Sequence, residues 1–141
     1  MLAAAPVYEK GKVVTIALAT GAPEISQAGD YIFRTIPNLT VAARKLYEHA
    51  RARYHKVAVL SEETAYCQGL ANAFVQQNEK GDIEIVSENY LPESTDFRTF
   101  YAKFQAKGVE AVFLNPQSET GMINLYRQCR DLQWKVPVYG A

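Results

Sequence analysis

Apolar residues in this 141-residue chain gather into four short runs, beginning near Lys56, Ile83, Ala111 and Val136 at nearly even spacing. Lys56-Val-Ala-Val-Leu60 and Ala111-Val-Phe-Leu114 are continuous, as strands covered on both faces of a parallel sheet are. Asp82-Ile-Glu-Ile-Val86 alternates and predicts a half-exposed strand. The last run contains Pro137, which places it at a sheet edge, at a strand start or in a truncated element. Between the runs lie three helical patterns: Leu70, Ala71, Phe74 and Val75; Phe97, Phe100, Tyr101 and Phe104; and Met122, Leu125, Cys129 and Leu132. A βαβαβαβ alternation with crossovers of this length predicts an α/β fold, a three-layer open parallel sheet with helices on both faces.

Local punctuation agrees with that division. Gly81 and Gly108 each follow a helical pattern and suit the left-handed position after a helix. Thr95 or Asp96 is placed to cap the helix starting at Phe97. The N-terminal third reads differently. A short Ala-rich segment precedes a strand over Val13–Leu18, and the loop Ala19-Thr20-Gly21-Ala22-Pro23 follows. A second strand over Tyr31–Thr35 is ended by Pro37, and a helix spans Thr40–Tyr54. This third has the look of a strand from a different sheet followed by a crossover.

The strand ending at Leu60 empties into a polar stretch, Ser61–Gly69, that carries Tyr66 into the next helix. Open α/β sheets bind ligands just outside the carboxyl ends of their strands. The stretch therefore predicts a small-molecule binding lobe.

Composition narrows the field without changing it. Nearly half the residues are apolar and about a fifth are charged, and 15 basic residues balance 15 acidic ones. Nothing global attracts nucleic acid or an anionic membrane. The cluster Arg44, Lys45, Arg51, Arg53 and Lys56 is interrupted by Glu48 and lacks an aromatic platform, so a solvated helix face is expected. No apolar run approaches the ~20 residues needed to cross a bilayer. Met1-Leu-Ala-Ala-Ala-Pro6 has no basic region and no long apolar stretch, so it does not read as a signal peptide. The chain is then either cytosolic or a piece of an exported protein. Asn38-Leu-Thr40 matches a glycosylation sequon, a short and common pattern.

Candidate chemistry is sparse. Cys67 and Cys129 are too few for a disulfide scaffold or a zinc site, and both are expected as small buried residues rather than as a disulfide or reactive thiols. His49 and His55 do not follow a strand, where a catalytic base would stand, and are expected on the solvated surface. There is no GxSxG, no phosphate-binding lysine loop and no GxGxxG. No enzyme activity, cofactor or metal is expected.

Several strings together resemble the type I periplasmic binding proteins, above all the substrate-binding proteins of ABC importers for branched-chain and related amino acids. They are Ala19-Thr20-Gly21-Ala22-Pro23-Glu24; Gly29-Asp30-Tyr31-Ile32-Phe33-Arg34-Thr35; Lys56–Leu60; Tyr66-Cys67-Gln68-Gly69-Leu70-Ala71; Thr95-Asp96-Phe97; and Arg127-Gln128-Cys129-Arg130. Their order and approximate spacing are the family's, and the set covers nearly the whole chain. The resemblance implies two α/β lobes joined by hinge strands, with residues 1–36 the end of the first lobe and its crossover and residues 37–141 the core of the second. It further implies a fragment of a longer protein, periplasmic or extracellular and lipid-anchored, with an amino-acid-like ligand and ABC permease subunits as partners. No nucleic acid is implied, and contact with the membrane is only through the transporter. An effector-sensing domain of a transcription regulator shares the fold and remains open, as does, further off, a Rossmann-like enzyme domain.

The resemblance also carries site residues. Tyr66 matches the aromatic of the family's Tyr-Gly-x-Gly turn, although Cys67 replaces the glycine that follows. Thr20 and Gly21 match the first-lobe loop that holds the ligand's α-carboxylate or α-ammonium. Gln117 and Ser118 match a position where amino-acid binders often place another aromatic. An aromatic face suits an ammonium group, and hydroxyl or backbone donors suit a carboxylate. Each residue also has a plainer role: Tyr66 packing over its helix, Thr20 as a loop residue, Ser118 as a helix cap.

Overall fold

The computed structural model describes residues 2–18 and 20–140; Ala19, within the expected loop, and Ala141 lie outside them. After a 3-10 turn at Leu2–Ala4 come α1 (Ala5–Lys10) and β1 (Thr15–Ala17). A second 3-10 helix (Pro23–Gln27) leads to β2 (Ile32–Arg34). The remainder alternates: α2 (Leu39–Arg51), β3 (Lys56–Glu62), α3 (Ala65–Gln76), β4 (Glu84–Tyr90), α4 (Arg98–Ala106), β5 (Ala111–Asn115), α5 (Glu119–Asp131) and β6 (Val138–Gly140).

Two parallel sheets result. β1 and β2 pair with each other, and the larger sheet runs in the order β4-β3-β5-β6. In the larger sheet Val57 faces Ala111 and Ile85, and Phe113 faces Tyr139. The period-two pleat of β3 divides the core. Val57 and Val59 meet Ala43, Tyr47 and Ala50 of α2 and Leu70 and Phe74 of α3 on one face. Ala58 and Leu60 meet Tyr101 and Phe104 of α4 and Leu125 and Cys129 of α5 on the other. Helices therefore cover both faces, as the continuous apolar runs require. A fully buried side chain such as Phe104 contributes roughly 1.5–3 kcal/mol through burial alone. β4 forms one rim of the sheet, with Glu84, Ser87 and Asn89 exposed, which matches its alternating sequence. At the other rim Pro137 precedes β6, and its carbonyl accepts from Val112 N–H at 2.9 Å.

Glycine serves as expected after two helical segments, Gly81 and Gly108 having φ of 66° and 68°. Three expectations change. Ser61 and Glu62 are not loop residues: they pair with Asn89 and Tyr90 and extend β3, so only Glu63 and Thr64 separate it from α3. The start of α4 takes only part of its capping from the expected pair, Asp96 Oδ1 accepting from Arg98 N–H at 3.1 Å. Phe97 occupies the cap position, and its N–H is satisfied from a distance by Gln128 Oε1 at 2.8 Å. His49 is half-buried rather than solvated, its Nε2 lying 3.1 Å from the Tyr139 hydroxyl, which also meets the Tyr54 hydroxyl. In the basic cluster Arg51 pairs with Asp82, Lys56 with Glu84 and Lys45 with Glu48, all near the surface. Asn38 of the sequon caps α2, its side chain accepting from Val41 N–H. Both thiols are free and buried.

Candidate ligand-binding site

The carboxyl ends of β3 and β5 hold the only buried polar side chains among the described residues: Ser61, Glu62 and Asn115. Parallel strands leave their last carbonyls and side chains facing the helix starts, and these three residues fill that junction. Asn115 donates to Ser61 Oγ at 3.0 Å and to the Cys67 carbonyl at 2.7 Å, tying the first turn of α3 to the end of β5. Glu62, only 7 % exposed, accepts from the Gln117 N–H at 3.0 Å and from the Tyr90 hydroxyl at 3.4 Å. Burial, and then the Glu62 charge beside it, pushes the Tyr90 hydroxyl far above its ordinary range. Ser61 and Glu62 belong to the polar stretch expected to face a ligand, but neither they nor Asn115 is among the five site residues drawn from the resemblance.

Thr64 caps α3 by accepting from Cys67 N–H, and its hydroxyl donates to Gln117 Oε1 at 3.0 Å. This short turn fixes the start of α3 and with it Tyr66, whose ring is 42 % exposed. Tyr66 keeps a substantial part of its surface open to solvent. It lines a cleft of about 290 Å³ with Thr20, Gly21, Ala22, Leu39 and Ala65. Cys67, in place of the glycine of the Tyr-Gly-x-Gly turn, keeps ordinary helical backbone inside α3 and sinks its side chain into the interior. Burial raises its thiol above the ordinary range.

The floor of the cleft is Leu39, the first residue of α2. Its N–H donates to the Gly21 carbonyl at 2.8 Å. A β-carbon on Gly21 would stand 2.9 Å from Leu39 Cγ, and one on Gly69 3.3 Å from Leu39 Cδ1. Gly21 is thus required for close approach, and one leucine supports both the loop after β1 and the first turns of α3.

Of the five residues drawn from the resemblance, the structure brings Thr20, Gly21 and Tyr66 together on one cleft. Gln117 lies across the Thr64 contact from it. Ser118 caps α5, accepting from Gly121 N–H at 3.1 Å, and lines a second cleft of about 320 Å³ with Glu62, Tyr90 and Asn124. No group of three or more His, Cys, Asp or Glu side chains placed to hold a metal ion occurs among the described residues.

A parallel sheet with helices on both faces, a second sheet feeding its first helix, and a cleft where the two meet at the strand ends define the type I periplasmic-binding-protein fold. The chain belongs to the periplasmic binding protein family, whose sequence profile matches residues 1–141. A Leu/Ile/Val-binding protein homologue of Brucella melitensis is 29 % identical over 137 residues, covering 94 % of this chain and 37 % of its own length. An ABC transporter substrate-binding protein of Desulfitobacterium hafniense, solved in complex with Leu, superposes with a TM-score of 0.81 at 24 % identity, over 99 % of this chain and 42 % of its own. A solute-binding protein of an ABC transporter from Rhodopseudomonas palustris, in complex with 3,4-dihydroxybenzoic acid, does so with a TM-score of 0.77 at 27 % identity, over 99 % and 39 %. The chain thus spans little more than a third of the length of the curated relative. The family resemblance read from the ordered strings agrees with these matches.

Proposed function

We propose that this chain is part of the solute-binding receptor of an ABC-type importer, taking an amino acid or a related small polar solute in a cleft between two lobes. Residues 1–36 are assigned to the end of the first lobe and the hinge crossover, and residues 37–141 to the second lobe. The receptor carries out no chemistry; it works in the periplasm or tethered outside the cell and delivers solute to permease subunits. The observation that carries this reading is the meeting of Thr20 and Gly21 with Tyr66 around one cleft. A hydroxyl with loop backbone on one lip and an aromatic ring on the other suit the two ends of a zwitterion. Closure would then be favoured by solute because only the closed form satisfies both ends.

The test is calorimetry on the intact protein encoded by the gene, with a panel of L-leucine, L-valine, L-glutamine and 3,4-dihydroxybenzoate. Binding of at least one solute at about micromolar Kd is expected. Tyr66→Ala is expected to weaken that binding at least about tenfold while leaving stability within about 0.5 kcal/mol, as for an exposed side chain. Unchanged affinity in Tyr66→Ala would remove this cleft as the site.

A further inference from the structure

Thr20–Ala22 of the lip form no helix or strand, yet the lip is held at several points by one stretch of chain. The Leu18 carbonyl accepts from the Thr35 hydroxyl at 3.1 Å, the Gly21 carbonyl from Leu39 N–H at 2.8 Å, and the Ala22 carbonyl from Arg34 Nη1 at 2.9 Å. The second arm of the Arg34 guanidinium donates to Ser26 Oγ. Arg34 therefore spans the segment where it turns from extended chain into the 3-10 helix, gripping both sides of the turn. Ala22, whose carbonyl it holds, itself lines the cleft beside Tyr66.

We propose that Arg34 is a positioning residue for solute capture, its forked guanidinium holding the Thr20–Ala22 lip in the geometry that receives the solute. This rests on the solute-binding reading above. A planar fork can hold two acceptors at a fixed angle, and an ammonium on a flexible stem cannot. Loop order supplied before binding is order the solute does not have to impose, so it appears as affinity. No carboxylate among the described residues lies within ion-pair distance of Arg34. Its charge therefore adds positive potential to a lip already suited to a carboxylate.

The experiment compares intact wild type with Arg34→Lys, Arg34→Met and Ser26→Ala. Amide hydrogen exchange is read without solute, and affinity is read with the tightest-binding member of the panel named above. In Arg34→Met, exchange at the Ile25 and Leu39 amides, bonded to the Ala22 and Gly21 carbonyls, is expected to speed up about tenfold while Val57–Leu60 is unchanged. Affinity is expected to fall about tenfold, with the melting temperature nearly retained. Arg34→Lys is expected to restore part of the affinity and little of the protection, because it keeps the charge and loses the fork. Ser26→Ala is expected to lower affinity less than Arg34→Met and to add nothing in the double variant. Arg34→Met that loses melting temperature but keeps affinity, or keeps both amide protection and affinity, overturns the inference while leaving the solute-binding reading intact. Wild type that binds no member of the panel overturns both.

Discussion

Leu39 occupies the space that a β-carbon on Gly21 would need, its Cγ 2.9 Å from that position. The same two residues share a backbone hydrogen bond of 2.8 Å, so their backbones cannot part without breaking it. Gly21→Ala is therefore expected to force the lip away from α2. Overpacking of this kind costs about 1–3 kcal/mol, and solute affinity is expected to drop with it. Leu39→Ala in the same background should recover part of the stability, since it clears the contact. Urea unfolding of the two single variants and the double variant measures this, and strict additivity would show that the contact is not responsible.

Glu62 joins the ends of three strands through one carboxylate oxygen. Glu62→Ala leaves the Tyr90 hydroxyl and the Gln117 N–H without their acceptor, and a buried group left unsatisfied costs about 1–3 kcal/mol. Glu62→Gln keeps an acceptor of the same shape and should cost distinctly less. It should also bring the Tyr90 hydroxyl part of the way back toward its ordinary range, since burial remains and the neighbouring charge is gone. Denaturation of both variants, with ultraviolet titration of the tyrosines, checks the two parts separately.

Alkaline pH should weaken the fold. Burial raises the thiols of Cys67 and Cys129 and the hydroxyls of Tyr90 and Tyr101. An acid whose folded pKa lies above its unfolded value binds more protons in the folded state, so its stabilising effect is complete below the unfolded value and is lost as pH climbs toward the folded one. Unfolded thiols ionise near pH 8.5 and tyrosines near pH 10. The unfolding free energy contributed by these groups is thus expected to be level from pH 7 to about pH 8 and to fall above that. Urea midpoints measured across this range give the answer, and a rise above pH 9 would contradict it. The native thiols should also react with a disulfide reagent only on unfolding.

The 141-residue chain taken alone should bind solute weakly. If the cleft closes between two lobes, this stretch supplies roughly half the contacts, and dissociation constants around millimolar or weaker are expected. Micromolar binding by the stretch itself would show that the remainder of the first lobe is not needed.

The sheet and its helices could be read from the residues because each face is written locally. Val57, Val59, Ala58 and Leu60 alternate in the chain as they alternate in the core, and Gly81 and Gly108 mark turns with their own backbone freedom. Tyr66 was also visible, as an aromatic at a helix start. What escaped depends on residues distant in sequence. Glu62 looks like a surface charge until Tyr90 and Gln117 are placed beside it. At the start of α4, Asp96 meets Arg98 N–H as a local cap should, but Phe97 N–H is met by Gln128, on another helix, which no nearby residue could reveal. Leu39 reads as the first apolar residue of a helix, and only its meeting with Gly21 and Gly69 makes it the base of a cleft. Gln117 and Ser118 were picked out by position alone; the structure gives them hydrogen-bonding and capping roles at the starts of α3 and α5.

The two rims of the larger sheet differ in a way that bears on how this protein behaves in a crowded solution. Along β4, Lys56 pairs with Glu84 and Lys103 with Glu88, so charge lines the flank where a foreign strand would have to lie. Such charges discourage strand-to-strand recruitment. β6 is only three residues long, and a very short edge strand offers a foreign strand little to pair with. The two rims thus resist uninvited strands by different means, charge along one and brevity along the other.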